Sequence, residues 1–396
     1  MRILFANDGI GDAGGVQNYL AAVMPALAER GHHIALLHLD PRRPEAPSPA
    51  PHGAPHFGMA EMGTDAALFA ALAWEPDVAF VHNMRPLEVD RRLCAAVPTV
   101  KFMHGYFGTC VSGQKAHLFP AREVCGKPLG PGCIPIYAVR RCGRMRPGYV
   151  AAGYRWANEQ NALFGRYARI VTASRHMRDE YLRNAAPEGR VQLISLFPTV
   201  TGQPAPPPPE FRLLFLGRMT TIKGGDLLIH AVADASARWG RPIPLTMAGD
   251  GPQRAEWERL AARLGVDATF TGWVDDQARA ELFRAASLLA VPSVWPEPFG
   301  LVGLEAGVFG VPSVAFDVGG IRDWLSAGKN GYLISGARPR AVALADALML
   351  ALRDPDHLRR MRVGAREVAS AFSLSLHVEI LETVLCTAAN RPAPAG

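Results

Sequence analysis

Short, unbroken apolar blocks alternate along this chain with longer stretches whose apolar residues recur at helical spacing. In the first half the pattern predicts strands at 3–6, 33–39, 78–82, 98–104 and 170–173. It predicts helices at 16–30, 65–74, 154–164 and 176–184. Strands that are apolar at successive positions are buried on both faces, which implies a parallel sheet covered by helices on either side. Residues 41–58 and 105–150 break the periodicity with Pro and Gly, and both are expected to be loops. TGQPAPPPPE at 201–210 suits neither a helix nor a central strand and reads as a stiff linker. The alternation then restarts, with strands at 212–216, 244–248, 269–272, 286–291 and 313–316. Helices are predicted at 226–238, 253–264, 277–285 and 338–352. The expectation is an α/β protein of two Rossmann-like domains, 1–200 and 211–372, with a cleft between them.

Composition agrees. A chain of 396 residues, 49% apolar and 20% charged, exceeds one ordinary core. It holds no run of 18 apolar residues, so no membrane span is expected. The opening residues meet Asp8 and Gly9 too early for a signal peptide, and the default compartment is the cytoplasm. The net charge of +6 lies wholly in residues 1–198, which hold 22 basic against 16 acidic residues; the remainder balances at 20 each. The densest basic patch, Arg140, Arg141, Arg144 and Arg146, is either a solvated loop or a contact for an anionic membrane or acceptor. No aromatic–basic interleaving accompanies it, and nucleic acid is not an expected partner. Cys110, Cys125, Cys133 and Cys142 lack the CxxC spacing of most structural zinc sites. They read as free thiols, with a metal as the lesser alternative.

Candidate chemistry concentrates at strand ends. The stretch 291–312, VPSVWPEPFGLVGLEAGVFGVP, runs from a strand through a tight loop into a helix expected from about Gly300. A helix start suits an anionic ligand. Glu297 and Glu305 flank it, and carboxylates there suit hydroxyls rather than phosphate. A ligand with both groups, a nucleotide sugar, accounts for both halves. Upstream, FRLLFLGRMTTIKGGD at 211–226 places Gly217, Arg218 and Lys223 after a strand, where two cations suit a diphosphate. Asp250, in the turn 248–252, is a possible cap for the next helix, and Trp273 is either a wall for a base or core. Gly9, Gly11 and Gly14 form GxGxxG after the first strand, so an NAD enzyme must be weighed. That reading leaves Arg218, Lys223, Glu297 and Glu305 unexplained.

These motifs together resemble glycosyltransferase family 4, whose members have the GT-B fold. The match rests on Glu297 and Glu305 within PEPFGLVGLEA, Gly217-Arg218 with Lys223-Gly224, the turn at 248–252, Gly319-Gly320 and Gly14-Gly15-Val16. It covers nearly the whole chain. The resemblance implies an enzyme that uses a nucleotide-diphosphate sugar and retains anomeric configuration without a metal or other cofactor. Arg218 and Lys223 would hold the diphosphate, with amides near Gly300, Leu301 and Val302. Glu305 would bind the ribose, and Glu297 and His104 would lie at the donor sugar. Gly15, Gly217, Gly249 and Val274 would complete the donor site. Residues 373–390 would return to the first domain, which would take a glycan or lipid-linked acceptor. The family's Gly-Gly-x-x-Glu ends here in Asp323, and residues 41–62 and 105–150 match no known acceptor pattern. Rival readings are a glycosidase, whose paired carboxylates would leave the basic residues unexplained, and a non-catalytic nucleotide-sugar-binding partner.

Overall fold

The computed structural model describes residues 1–9, 14–41, 48–204, 206–337 and 339–390. Gly11 of the GxGxxG element, part of the loop expected at 41–58, Ala205 of the Pro-rich linker and Arg338 lie outside the described residues.

The first half builds one parallel sheet. Its strands are β1 (Arg2–Asn7), β2 (His33–His38), β3 (His56–Gly58), β4 (Val78–Val81) and β5 (Thr99–Met103). A small antiparallel ribbon of β6 (Ala116–His117) and β7 (Glu123–Val124) follows, and β8 (Arg169–Thr172) and β9 (Val191–Leu193) finish the sheet. The spatial order is β3-β2-β1-β4-β5-β8-β9. The second half repeats the plan with β10 (Leu213–Leu216), β11 (Leu245–Ala248), β12 (Ala268–Gly272), β13 (Leu288–Val291), β14 (Ser313–Asp317) and β15 (Gly331–Ser335), ordered β12-β11-β10-β13-β14-β15. β1 lies between β2 and β4, and β10 between β11 and β13. Each sheet therefore reverses its order beside its first strand, and the crevice at that reversal is where open α/β sheets bind ligands.

The central strands are where the apolar blocks predict them, because Ile3, Leu4, Phe5, Leu288 and Leu289 are fully buried. The edge strands β3, β9 and β15 were not expected. Each is only partly buried, which weakens its apolar signal. The helices Leu87–Ala96 and Pro355–Ser370 were also not foreseen; both are strongly polar on one face. The helix expected at 154–164 begins earlier, spanning Pro147–Ala162 with Pro at its start, where its missing N–H costs nothing. The stretch expected as loop at 105–150 thus ends in a helix and also contains β6, β7 and the helix Cys133–Val139.

One stretch among the described residues, Pro355–Ala388, is long and apolar enough to cross a membrane. Here it is two helices, Pro355–Ser370 and Leu374–Ala388, that close the fold. The second packs on the helix Gly15–Glu29 of the first half. His377 Nε2 meets Tyr19 Oη at 2.8 Å, and buried Glu382 accepts from Arg30 (2.7 Å) and His32 (2.6 Å). Glu382→Ala is expected to cost about 2 kcal/mol, because His32 is left buried without its acceptor. A urea titration reads this, and hydrogen exchange should show 374–388 opening first. Unchanged protection there would mean that apolar packing alone holds the helix.

Two further contacts join the halves. Arg122 forms a two-point ion pair with Asp226 (2.7 and 2.8 Å). Asp323 accepts from the backbone N–H of Arg175 at 2.8 Å, at the start of the helix Arg175–Arg183. The Asp that ends the Gly-Gly-x-x-Asp element therefore ties the two domains together.

Candidate active site

The loops that follow β1, β10 and β13 converge on two adjoining cavities. One, of about 270 Å³, is lined by Gly15, His104, Lys223, Glu297, Gly300, Leu301 and Val302. The other, of about 630 Å³, is lined by Gly15, Gly217, Arg218, Gly249, Val274, Leu301 and Glu305. Gly15 and Leu301 line both, so the structure brings these twelve candidate donor-site residues to one continuous cleft.

Backbone geometry explains the glycines. Gly300 has φ +81°, and a Cβ there would lie 2.5 Å from Ile321 Cδ1. Gly319 has φ +61°, and its Cβ would lie 2.2 Å from the Glu297 carbonyl oxygen. Gly320 N–H donates to that same oxygen at 2.7 Å. The Gly-Gly pair is therefore the backbone support of Glu297. The helix after this loop starts at Val302, two residues later than expected, and runs only to Val308.

Glu297 is 4% exposed, and three donors converge on its Oε1. They are Lys223 Nζ at 2.6 Å, Trp295 Nε1 at 3.0 Å and the Ser293 hydroxyl. Among the described residues no donor reaches Oε2. Lys223 also lies over the Trp295 ring at 5.5 Å. Sequence alone read Lys223 as half of a diphosphate clamp; in the structure it is first the partner of Glu297. Arg218 is exposed, lines the larger cavity and has no ion-pair partner among the described residues.

Glu305 is 4% exposed. It accepts from Thr199 Oγ1 at 2.8 Å and faces Arg279 Nη1 at 3.6 Å. Burial pushes its carboxyl up, opposed by Arg279 and Thr199. Thr199 and Arg279, both lining the larger cavity, were missed by sequence reasoning. Arg279 sits in an ordinary exposed-looking helix, Asp276–Ala285, and no local signal marks it.

His104 directly follows β5 and meets His82 Nδ1 at 2.8 Å through its Nε2. Burial, with Lys101 adding, pushes His104 down to about 3, and burial also drives His82 well below its ordinary value. Both imidazoles are neutral at pH 7. A histidine lowered in the folded state contributes stability above its unfolded value near 6.5, lost as pH falls toward 3. By pH 5 the loss from His104 should reach about 2 kcal/mol. Urea midpoints at pH 7 and pH 5 should therefore fall more steeply in the wild type than in His104→Asn; equal slopes would contradict it.

Three readings need correction. Asp250 does not cap the following helix, Arg254–Leu264; its Oδ1 accepts from Gly251 N–H at 2.6 Å. Trp273 is 66% exposed on the cavity wall and is not core. Arg140 is held by Glu123 and by His117 (3.1 Å), so it does not join Arg141, Arg144 and Arg146 as an exposed patch. All six cysteines are free thiols, and among the described residues no three metal-ligating side chains are grouped to hold an ion.

Comparison with known proteins extends this. The family profile described as Glycosyltransferase Family 4 matches residues 13–197, and that of Glycosyl transferases group 1 matches residues 199–368. The chain is 38% identical to D-inositol 3-phosphate glycosyltransferase of Nocardia farcinica over 177 residues, 42% of this chain and 38% of that one. The match thus spans well under half the length of that relative. The enzyme of the same name from Rhodococcus opacus is 27% identical over 399 residues, 93% of this chain and 84% of that one. Among solved structures, Anabaena HepE in complex with UDP aligns with TM-score 0.69 and 19% identity, over 98% of this chain and 100% of that one. Two parallel-sheet domains facing this cleft, and two profiles that meet at their junction, establish that the chain belongs to glycosyltransferase family 4 and has the GT-B fold.

Proposed function

We propose that this chain is a retaining glycosyltransferase that moves a sugar from a nucleotide-diphosphate sugar to a glycan, glycolipid or polysaccharide precursor. One observation carries the reading: a single cleft lines up the cations Arg218 and Lys223 with the carboxylates Glu297 and Glu305. In this reading the second domain holds the donor and the first the acceptor. As the anomeric C–O bond breaks, negative charge grows on the leaving diphosphate, and Arg218 and Lys223 offset it. One preorganised donor of this kind is typically worth about 3 kcal/mol. The acceptor oxygen attacks from the same face, and its proton passes to a diphosphate oxygen. Positive charge on the chain itself makes the scheme metal-independent. Glu297 and Glu305, each already engaged by a cation, act as hydroxyl acceptors rather than as a hydrolytic acid/base pair. Cytoplasmic work at the inner membrane face would use Arg141, Arg144 and Arg146. The curated relatives are named for D-inositol 3-phosphate, and HepE has been crystallised with UDP-glucose; these give the first probes.

The test is a thermal-shift panel of UDP-, GDP- and ADP-sugars, followed by a transfer assay with the best binder. A bound donor raises apparent stability as RT ln(1 + [L]/Kd). Binding without transfer or donor hydrolysis would favour a non-catalytic nucleotide-sugar-binding partner. NADH fluorescence enhancement, with no nucleotide sugar bound, would restore the dinucleotide reading.

A further inference from the structure

A third cavity, of about 380 Å³, opens at the carboxyl ends of β1, β4 and β5 in the first domain. It meets the donor cleft at the imidazole pair, because His82 lines this cavity and His104 the other. Its lining is both polar and aromatic. Phe107 and Trp156 stand edge to face there, 5.8 Å apart at 84°. Asp8, Asp40 and Asn83 also line it.

The charges lining it are the informative part. Two cations are present, and each is already neutralised. Lys101 Nζ is buried against both oxygens of Asp90, at 3.0 and 3.3 Å. Arg85 Nε faces Asp8 Oδ2 at 3.4 Å, and its backbone N–H donates to Asp8 Oδ1 at 3.0 Å. Asp40 has no ion-pair partner among the described residues. Its carboxylate lies over Gly9, where a Cβ would be 3.1 Å from Oδ2. Among the described residues the lining carboxylates and cations balance and neither cation is unpaired, so none is free for a phosphate. Carboxylates and an amide suit hydroxyls, and an aromatic wall suits the C–H face of a ring.

His82 adds an independent sign of a ligand. It is fully buried, its Nδ1 is used by His104, and its Nε2 has no hydrogen-bond partner. Buried polar atoms in native proteins are normally satisfied. A hydroxyl entering beside His82 supplies the missing partner, as donor or acceptor according to which of the paired imidazoles carries the shared proton.

Resting on the glycosyltransferase reading above, we infer that this cavity is the acceptor subsite, that it takes an unphosphorylated, hydroxyl-rich ring, and that His82 and Asp40 select it. The experiment uses the full chain and ligand-observed NMR. Its probes are methyl α-D-glucopyranoside, methyl α-D-mannopyranoside and myo-inositol, set against glucose 6-phosphate, mannose 6-phosphate and D-myo-inositol 3-phosphate. At least one neutral ring should bind ten times more tightly than its phosphorylated counterpart. His82→Gln should weaken that neutral ring about tenfold and leave nucleotide affinity unchanged, a split that a merely structural role would not give. Asp40→Lys, an exposed substitution, should reverse the preference toward the phosphorylated ring. Tighter binding of the phosphorylated rings, no binding of any neutral ring, or an order untouched by both variants would overturn the inference. UDP, GDP and ADP are titrated separately. If none binds, the glycosyltransferase reading fails; if one binds while the ring order is wrong, only the acceptor inference fails.

Discussion

Glu297→Ala is expected to lower kcat/KM for sugar transfer by about 100- to 1000-fold, the scale of losing one preorganised polar group at a reacting centre. The carboxylate does two jobs at once. Its Oε1 gathers Lys223, Trp295 and Ser293, and in the proposed reaction its Oε2 holds a donor hydroxyl. Alanine removes the hydroxyl anchor and also releases the Lys223 ammonium, which no longer has a fixed position beside the diphosphate. Ser293 is 1% exposed, so its hydroxyl is left without an acceptor, and stability should drop by about 1–3 kcal/mol. Kinetics must therefore be measured below the variant's unfolding midpoint. Affinity for the intact sugar nucleotide should fall more than affinity for the bare nucleoside diphosphate, because the lost contact is to the sugar. A double-mutant cycle with Lys223→Ala should be strongly non-additive, since one ion pair is broken in either single variant. Turnover within threefold of the wild type would remove Glu297 from the reaction.

Gly319→Ala should destabilise the second domain by roughly 3 kcal/mol, through left-handed strain together with a backbone collision. At about 2–4 °C per kcal/mol for a domain of this size, the transition should fall by roughly 6–12 °C. The collision is with the Glu297 carbonyl oxygen and nitrogen, at 2.2 and 2.5 Å. The change should therefore displace Glu297 and weaken donor binding as well. Gly328→Ala is the control. Gly328 also has a left-handed φ, +77°, but a Cβ there meets nothing within 4 Å. Only the strain, about 1–2 kcal/mol, should remain in that variant. Equal losses in the two variants would show that the contact with Glu297 contributes nothing.

The central strands and most helices were legible because a parallel sheet buried on both faces must be apolar at successive positions. What escaped was half-buried or mixed. β3, β9 and β15 lie at the sheet edges and bury only part of their length. The donor motifs were legible for a related reason. Glycines that must adopt left-handed φ or let a backbone pass close by leave an unambiguous mark, and so do two carboxylates bracketing a helix start.

The sequence by itself determined the two α/β halves, the glycine-shaped loops, the pair Glu297 and Glu305, and the family. Those properties depend on neighbours along the chain, where spacing is fixed by covalent geometry. The tertiary structure decided which side chains meet. Lys223 turned to Glu297 from 74 residues away, Thr199 and Arg279 closed on Glu305, and His82 joined His104 between two cavities. A buried charge or imidazole takes whichever partner the packing brings within hydrogen-bonding distance, and that choice is made only when the two sheets and their loops have come together.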